Sequence, residues 1–284
     1  MIPLAVADWL AQAGHGELHS RQPVGGGCIN HGARLRMADG TGYFLKTNAS
    51  APADMFAREA EGLAALSGMC SPLRIPQVFL CGADFLLLED LAPAEQAPDY
   101  WQTLGRQLAA LHSQPHTHFG FEHDNYLGTT PQPNPWTADG HDFFAQHRLL
   151  YQARLAREAG RLAAADVMAV ERLAQRLPQL LPAQPAVLIH GDLWAGNAIS
   201  DAQGQPALID PAAHYGWAEA ELGMTVLFGG FPSAFYAAYA EAANLAPGWR
   251  ERLPIYNLYH LLNHLNLFGS GYLAQVQGVL RRFA

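Results

Sequence analysis

Hydrophobic positions change rhythm along the chain. Residues 2–12 place apolar side chains at helical spacing and predict a short amphipathic helix. Residues 18–48 instead alternate in short segments, separated by Gly25-Gly26-Gly27 and by Ala38-Asp39-Gly40-Thr41-Gly42. Asp-Gly favours turns that need positive φ, so three antiparallel strands are expected, the last over Tyr43-Phe44-Leu45-Lys46. Residues 53–67 return to helical spacing through Phe56, Ala60, Leu63 and Leu66. Strands follow at 76–80 and 85–89 around Gly82-Ala83-Asp84. Residues 90–98 hold Pro93 and Pro98 and no periodicity, the pattern of a linker.

Beyond the linker the helical period dominates. Trp101, Leu104, Leu108 and Leu111 mark one face of a helix ending near His112. Residues 114–140 are rich in Pro, Gly, Asn and His and predict a long loop, a length that usually carries function or disorder. Helices are expected at 141–159, 165–181, 217–227, 232–243, 250–267 and 271–282, with strands at 186–189 and 206–209. The order is a small β-rich lobe with one helix, a linker, and a larger helical lobe. That predicts an α+β, bilobal, protein-kinase-like fold, with a nucleotide lobe over 1–91 and a catalytic and substrate lobe over 92–284. A doubly wound fold would alternate strands and helices throughout.

Composition narrows the partners. The 284 residues carry a formal charge of -8 and no basic run, so there is no electrostatic footprint for nucleic acid. Cys28, Cys70 and Cys81 are odd in number and lack a C-x-x-C spacing, against a disulfide framework or structural zinc. No signal-peptide pattern and no run of 18 apolar residues occurs, so a cytoplasmic protein without a membrane span is expected.

The chemistry concentrates in His190-Gly191-Asp192-Leu193-Trp194-Ala195-Gly196-Asn197. Kinase catalytic loops carry H-R-D-L-x-x-x-N, in which Asp accepts the proton of the attacking hydroxyl and Asn holds magnesium. Asp192 and Asn197 keep that offset. An amide oxygen suits Mg²⁺, a hard cation. Leu208-Ile209-Asp210-Pro211 is an apolar strand ending in a second candidate metal ligand, Asp210. Each segment could instead be a polar turn after a strand. On the nucleotide side, Gly25, Gly26, Gly27 and Cys28 form a turn whose N–H groups could face phosphates, although a plain flexible turn has the same composition. Lys46 stands in an apolar strand as a phosphate-binding Lys, with Glu59 as its partner and Glu61 as the competitor. Glu89, Asp90 and Leu91 close the small lobe as a hinge whose backbone would meet adenine.

These segments resemble the fructosamine kinase (ketosamine-3-kinase) family, within the aminoglycoside-phosphotransferase-like kinases. The resemblance is carried by Gly25 to Asn30, Met55 to Leu63, and Phe119-Gly120-Phe121 with Asp124-Asn125-Tyr126-Leu127-Gly128. It continues in Pro131-Gln132-Pro133-Asn134, His190 to Asn197, Ile209 to Ala212 with Tyr215, Gly216 and Glu219, and Tyr259 to Gly269. The resemblance implies ATP and Mg²⁺ as cofactors and phosphorylation of a sugar hydroxyl on a ketosamine, a fructosamine or ribulosamine, with glycated protein as a further candidate substrate. It also implies that Trp194 lines the sugar pocket, with Tyr215 and Glu219 on the substrate side. Trp217 and Ala218 depart from the family's usual residues before Glu219, and Glu221 stands where Asp is usual. The alternatives are a kinase of another small alcohol, of the aminoglycoside, choline or homoserine type, and a nucleotide-binding pseudokinase.

Other features weigh less. His112, His116, His118 and His123 fit no zinc spacing, and His260 and His264 lack the Glu of H-E-x-x-H. Phe228, Phe231, Phe235, Tyr236 and Tyr239 read as core. Cys28, among glycines, is a candidate redox-sensitive thiol.

Overall fold

The computed structural model describes residues 2–25, 30–243 and 245–284. Gly26, Gly27 and Cys28, expected in the phosphate-facing turn, lie outside the described residues.

Helix α1 (Leu4–Gln12) precedes three strands, β1 (Leu18–Val24), β2 (His31–Met37) and β3 (Gly42–Thr47). Helix α2 (Met55–Gly68) and strands β4 (Val78–Cys81) and β5 (Phe85–Glu89) complete the small lobe. Its strands form one antiparallel sheet in the order β1-β2-β3-β5-β4. The two-residue period of β5 explains its unbroken apolar run. Phe85 and Leu87 pack with Val6 and Leu10 of α1, while Leu86 and Leu88 face Phe56 and Leu63 of α2. A strand buried on both faces can afford no polar position until Glu89.

Residues 90–99 form no element and lead into α3 (Tyr100–His112). The expected long loop is a correction. Residues 114–140 carry β6 (Pro115–His116), β7 (Asn125–Leu127) and β8 (Thr130–Gln132), and Asn125, Thr130, Gln132 and Asn134 are buried. Strands of two or three residues are too short to show a period. The single helix expected at 141–159 is α4 (Gly140–Phe144), a π-helical stretch at Ala145–Leu150, and α5 (Tyr151–Glu158). After α6 (Ala164–Leu180) come β9 (Ala186–Ile189), β10 (Ala198–Ser200), β11 (Pro206–Leu208) and β12 (His214–Gly216). The order β12-β9-β6 makes a small sheet, and β10-β11 and β7-β8 are hairpins. Helices α7 (Ala218–Leu227), α8 (Ser233–Ala242), α9 (Trp249–Phe268) and α10 (Leu273–Phe283) finish the large lobe. The aromatic run enters the core as expected at Phe231, Phe235, Tyr236 and Tyr239. Among the described residues no helix is long and apolar enough to cross a membrane.

Candidate active site

Three chain segments meet at the boundary between the lobes. Strand β3 supplies Lys46, in register with Leu86 of β5 and Gly32 of β2. Helix α2 supplies Glu59, and the turn after β11 supplies Asp210. Lys46 Nζ donates to Glu59 Oε1 at 2.5 Å and to Asp210 Oδ1. Burial disfavours the ammonium charge, but the carboxylates of Asp210 and Glu59 outweigh it and hold the pKa of Lys46 above its ordinary value. The competitor Glu61 is engaged elsewhere, by Arg58 at 2.7 Å and by His123 at 3.2 Å.

Strand β9 leads into the catalytic-loop segment through His190, which is fully buried. Its Nε2 donates to the Ile209 carbonyl at 2.8 Å, and its Nδ1 accepts from the Asp192 N–H at 3.3 Å. Burial pushes the imidazole down to about 4, so it is neutral and acts as a brace between the approaches to Asp192 and Asp210. Gly191 has φ +81°, and a Cβ there would collide with the Ala212 carbonyl oxygen. Asn197 Nδ2 donates to the Asp192 carbonyl at 2.8 Å and to Asp192 Oδ2 at 3.2 Å. The amide oxygen of Asn197 is thereby turned away from Asp192. Enclosure and the nearby Asp210 carboxylate push the Asp192 carboxyl well above its ordinary value, with the Asn197 contact opposing them.

Glu221 of α7 is the residue the sequence noted without assigning. It is 1 % exposed and accepts the backbone N–H groups of both His190 and Gly191. Its available signal was an acid followed directly by the apolar stretch Leu222-Gly223-Met224.

The expected substrate residues separate. Trp194 is 36 % exposed within the catalytic segment, with its ring against Gly196. Tyr215 sits on β12 and stacks on His116 at 4.0 Å, beside Trp136. Glu219, expected on the substrate side, is 1 % exposed, and its carboxylate takes Arg252 Nε at 2.8 Å, Arg252 Nη2 at 2.6 Å and Tyr256 Oη at 3.2 Å. Three donors from within the chain thus meet this carboxylate. At the hinge, the side chain of Glu89 pairs with Arg74 and its N–H donates to Gln77. Asp90 pairs with Arg34 at 3.2 Å and Leu91 is buried. Gly25 is exposed at the end of β1.

Asn197 and Asp210 together offer hard oxygen donors but too few for an all-protein cage. That donor set fits Mg²⁺, which keeps waters and takes phosphate oxygens as ligands.

Comparison with known proteins agrees along the chain. The fructosamine kinase family model matches residues 2–284. A Synechocystis protein named "Probable ketoamine kinase" is 43% identical over 271 residues, covering 93% of this chain and 90% of that protein. The chloroplastic protein-ribulosamine 3-kinase of Oryza sativa subsp. japonica is 38% identical over 267 residues, covering 90% and 76%. A crystal structure described as a "putative fructosamine-3-kinase" of Thermobifida fusca superposes with a TM-score of 0.88 at 35% identity, covering 98% of this chain and 97% of that one. With its two lobes, its His190-to-Asn197 segment and these matches over almost its whole length, the chain belongs to the fructosamine kinase family.

Proposed function

We propose that the protein transfers phosphate from ATP to a sugar hydroxyl of a ketosamine, a fructosamine or ribulosamine. The observation that carries this reading is the convergence of Lys46, Glu59 and Asp210 with the Asp192–Asn197 pair at one lobe boundary, with Trp194 exposed in the same loop. Family membership supports the ketosamine over other alcohols.

In this reading Asp192 orients the attacking hydroxyl and takes its proton. Lys46, held by Glu59, meets the ATP phosphates, and backbone groups at Asp90 and Leu91 meet adenine. Asn197 and Asp210 would hold Mg²⁺, which when bound neutralises charge on the phosphates. Asn197 also fixes the Asp192 carboxylate at 3.2 Å, so the base is placed before substrate arrives. Most of the rate comes from such positioning and charge stabilisation. Trp194 offers an apolar face on which a sugar ring can stack. Its open position leaves room for adducts on a bulky amine, so glycated protein is included among the substrates. Cys70 and Cys81 are exposed free thiols, in keeping with a reducing cytosol.

The test is a kinase assay across ribulosamines, fructosamines and aminoglycosides, with Asp192→Asn as control. Ketosamines are expected to be phosphorylated, and the substitution to lower kcat about 10³-fold, the range of a lost general base. Activity that survives Asp192→Asn, or turnover of aminoglycosides alone, overturns the reading.

A further inference from the structure

Asp210 has φ +58°, a left-handed backbone that a non-glycine residue keeps only when its surroundings over-determine it. On its N-terminal side the Ile209 N–H donates to Asn197 O at 3.1 Å and the Ile209 carbonyl accepts from His190. On its C-terminal side the constraint comes from a different part of the chain, the β7–β8 hairpin. Gln132 Nε2 donates to the Ala212 carbonyl at 3.1 Å, and Asn125 Nδ2 donates to the Ala213 carbonyl at 2.8 Å.

The two amides cannot turn over. Arg148 Nη2 donates to Asn134 Oδ1 at 2.6 Å, so Asn134 must present its Nδ2, which donates to Asn125 Oδ1 at 2.9 Å. That contact in turn directs Asn125 Nδ2 at Ala213. Tyr259 Oη donates to Gln132 Oε1 at 2.6 Å, which directs Gln132 Nε2 at Ala212 and at Asn125 Oδ1. An arginine has no acceptor, so the polarity of the chain is set from one end. Asn125, Gln132, Asn134 and Arg148 are all at least 95 % buried, where a satisfied network rigidifies and a broken one is costly.

The same hairpin reaches the small lobe. Tyr126 Oη donates to Asp54 Oδ1, at the start of α2, at 2.6 Å, and His123 meets Glu61 at 3.2 Å. Gly62 of α2 lies against Pro211 and Ala213, where a Cβ would stand 3.3 Å from each. One hairpin thus touches the carriers of both carboxylates that hold Lys46.

We propose that Asn125 and Gln132 are positioning residues for Asp210, and that Tyr126 is a positioning residue for α2 and Glu59. The hairpin is a built-in strap that keeps the metal-facing and lysine-facing carboxylates in place without any ligand. This rests on the kinase reading above.

The test uses the full chain with Gln132→Met, Asn125→Ser and Tyr126→Phe. Calorimetry measures ATP affinity with and without Mg²⁺, hydrogen exchange measures the amides of Asp210, Ala212 and Ala213, and kinetics separates kcat from KM. For Gln132→Met and Asn125→Ser the expected result is faster exchange at Asp210, Ala212 and Ala213 and a tenfold or greater rise in the Mg²⁺ needed for half-maximal tightening of ATP binding. Their kcat falls at least tenfold and KM for the ketosamine is unchanged. Tyr126→Phe, whose hydroxyl lies near the surface, keeps the fold and lowers kcat three- to tenfold. Tyr259→Phe moves the same readouts as Gln132→Met, less far. Unchanged exchange and Mg²⁺ dependence in folded variants overturn the proposal, as does a loss confined to the ketosamine KM. If the core variants do not fold, Tyr126→Phe with wild-type kcat overturns it alone. ATP and Mg²⁺ binding needs no acceptor, so a wild type that phosphorylates no ketosamine overturns the kinase reading and leaves this measurement intact.

Discussion

Glu221 is a buried carboxyl with no cation beside it among the described residues. Its carboxylate is met by two backbone N–H groups and by His112 Nε2 at 3.9 Å. Burial pushes that imidazole down to about 3, so it is neutral across the working range. Burial likewise pushes Glu221 from 4.5 up to about 7, with the His190 and Gly191 N–H groups opposing. A carboxyl whose folded pKa is raised binds more protons folded than unfolded between those two values. Stability is therefore present below pH 4.5 and is lost as pH rises to about 7. Integrated from pH 5 to pH 8, the loss is about 2.5 kcal/mol.

Glu221→Gln removes that titration at nearly constant shape. The amide offers one acceptor for two donors, so the Gly191 N–H loses its partner at a cost of about 1–3 kcal/mol. That cost does not vary with pH. Equilibrium urea unfolding at pH 5, 6, 7 and 8 should therefore show the variant gaining on wild type by about 2.5 kcal/mol from the lowest to the highest pH. Taking the difference cancels the titrating groups that do not interact with Glu221. A difference constant within about 0.5 kcal/mol over that range would refute the reasoning. The released loop end should also lower kcat about tenfold.

Four further outcomes follow from contacts already described. Gly105→Ala places a Cβ 2.5 Å from Phe235 O and 3.0 Å from Tyr239 N, between α3 and α8. It should cost about 2 kcal/mol, read as a lower Tm with kcat kept below the transition. Arg252→Met leaves the Glu219 carboxylate buried beside Tyr256 alone and should destabilise by about 3–5 kcal/mol. Adding Glu219→Gln should recover part of that with the ketosamine KM unchanged, and a shifted KM would return Glu219 to the substrate site. Lys46→Met should raise KM for ATP and lower kcat together by about a hundredfold in kcat/KM, a loss of about 2.7 kcal/mol in steady-state kinetics. Trp194→Ala should raise the ketosamine KM about tenfold while Tm stays near wild type, because the ring is 36 % exposed.

Much of the site was legible in the chain because its groups are local. Asp192 and Asn197 lie five residues apart within one loop, and their hydrogen bond follows from that short separation. The strand Phe85–Glu89 was legible because its twice-buried positions, Phe85 to Leu88, are all apolar. The three-residue strands β10 and β12 were not, since so short a piece has no period. The choice of Glu59 over Glu61 depended on which face of α2 meets β3, and that face is set by packing Phe56 and Leu63 on the sheet.

Sequence by itself determined the two-lobed order, the segment His190 to Asn197 and the residue types proposed to meet phosphate and metal. Each of these depends on short spacings, which the backbone transmits directly. Only the tertiary structure decided that Glu219 belongs to Arg252, that Glu221 holds the loop, and that the Asp-Asn-Tyr-Leu-Gly and Pro-Gln-Pro-Asn segments brace Asp210. Those partners are separated by 30 to 127 residues along the chain. A polar side chain in a sequence declares that it needs a hydrogen bond, but which distant group supplies it is settled when burial removes water as the competitor.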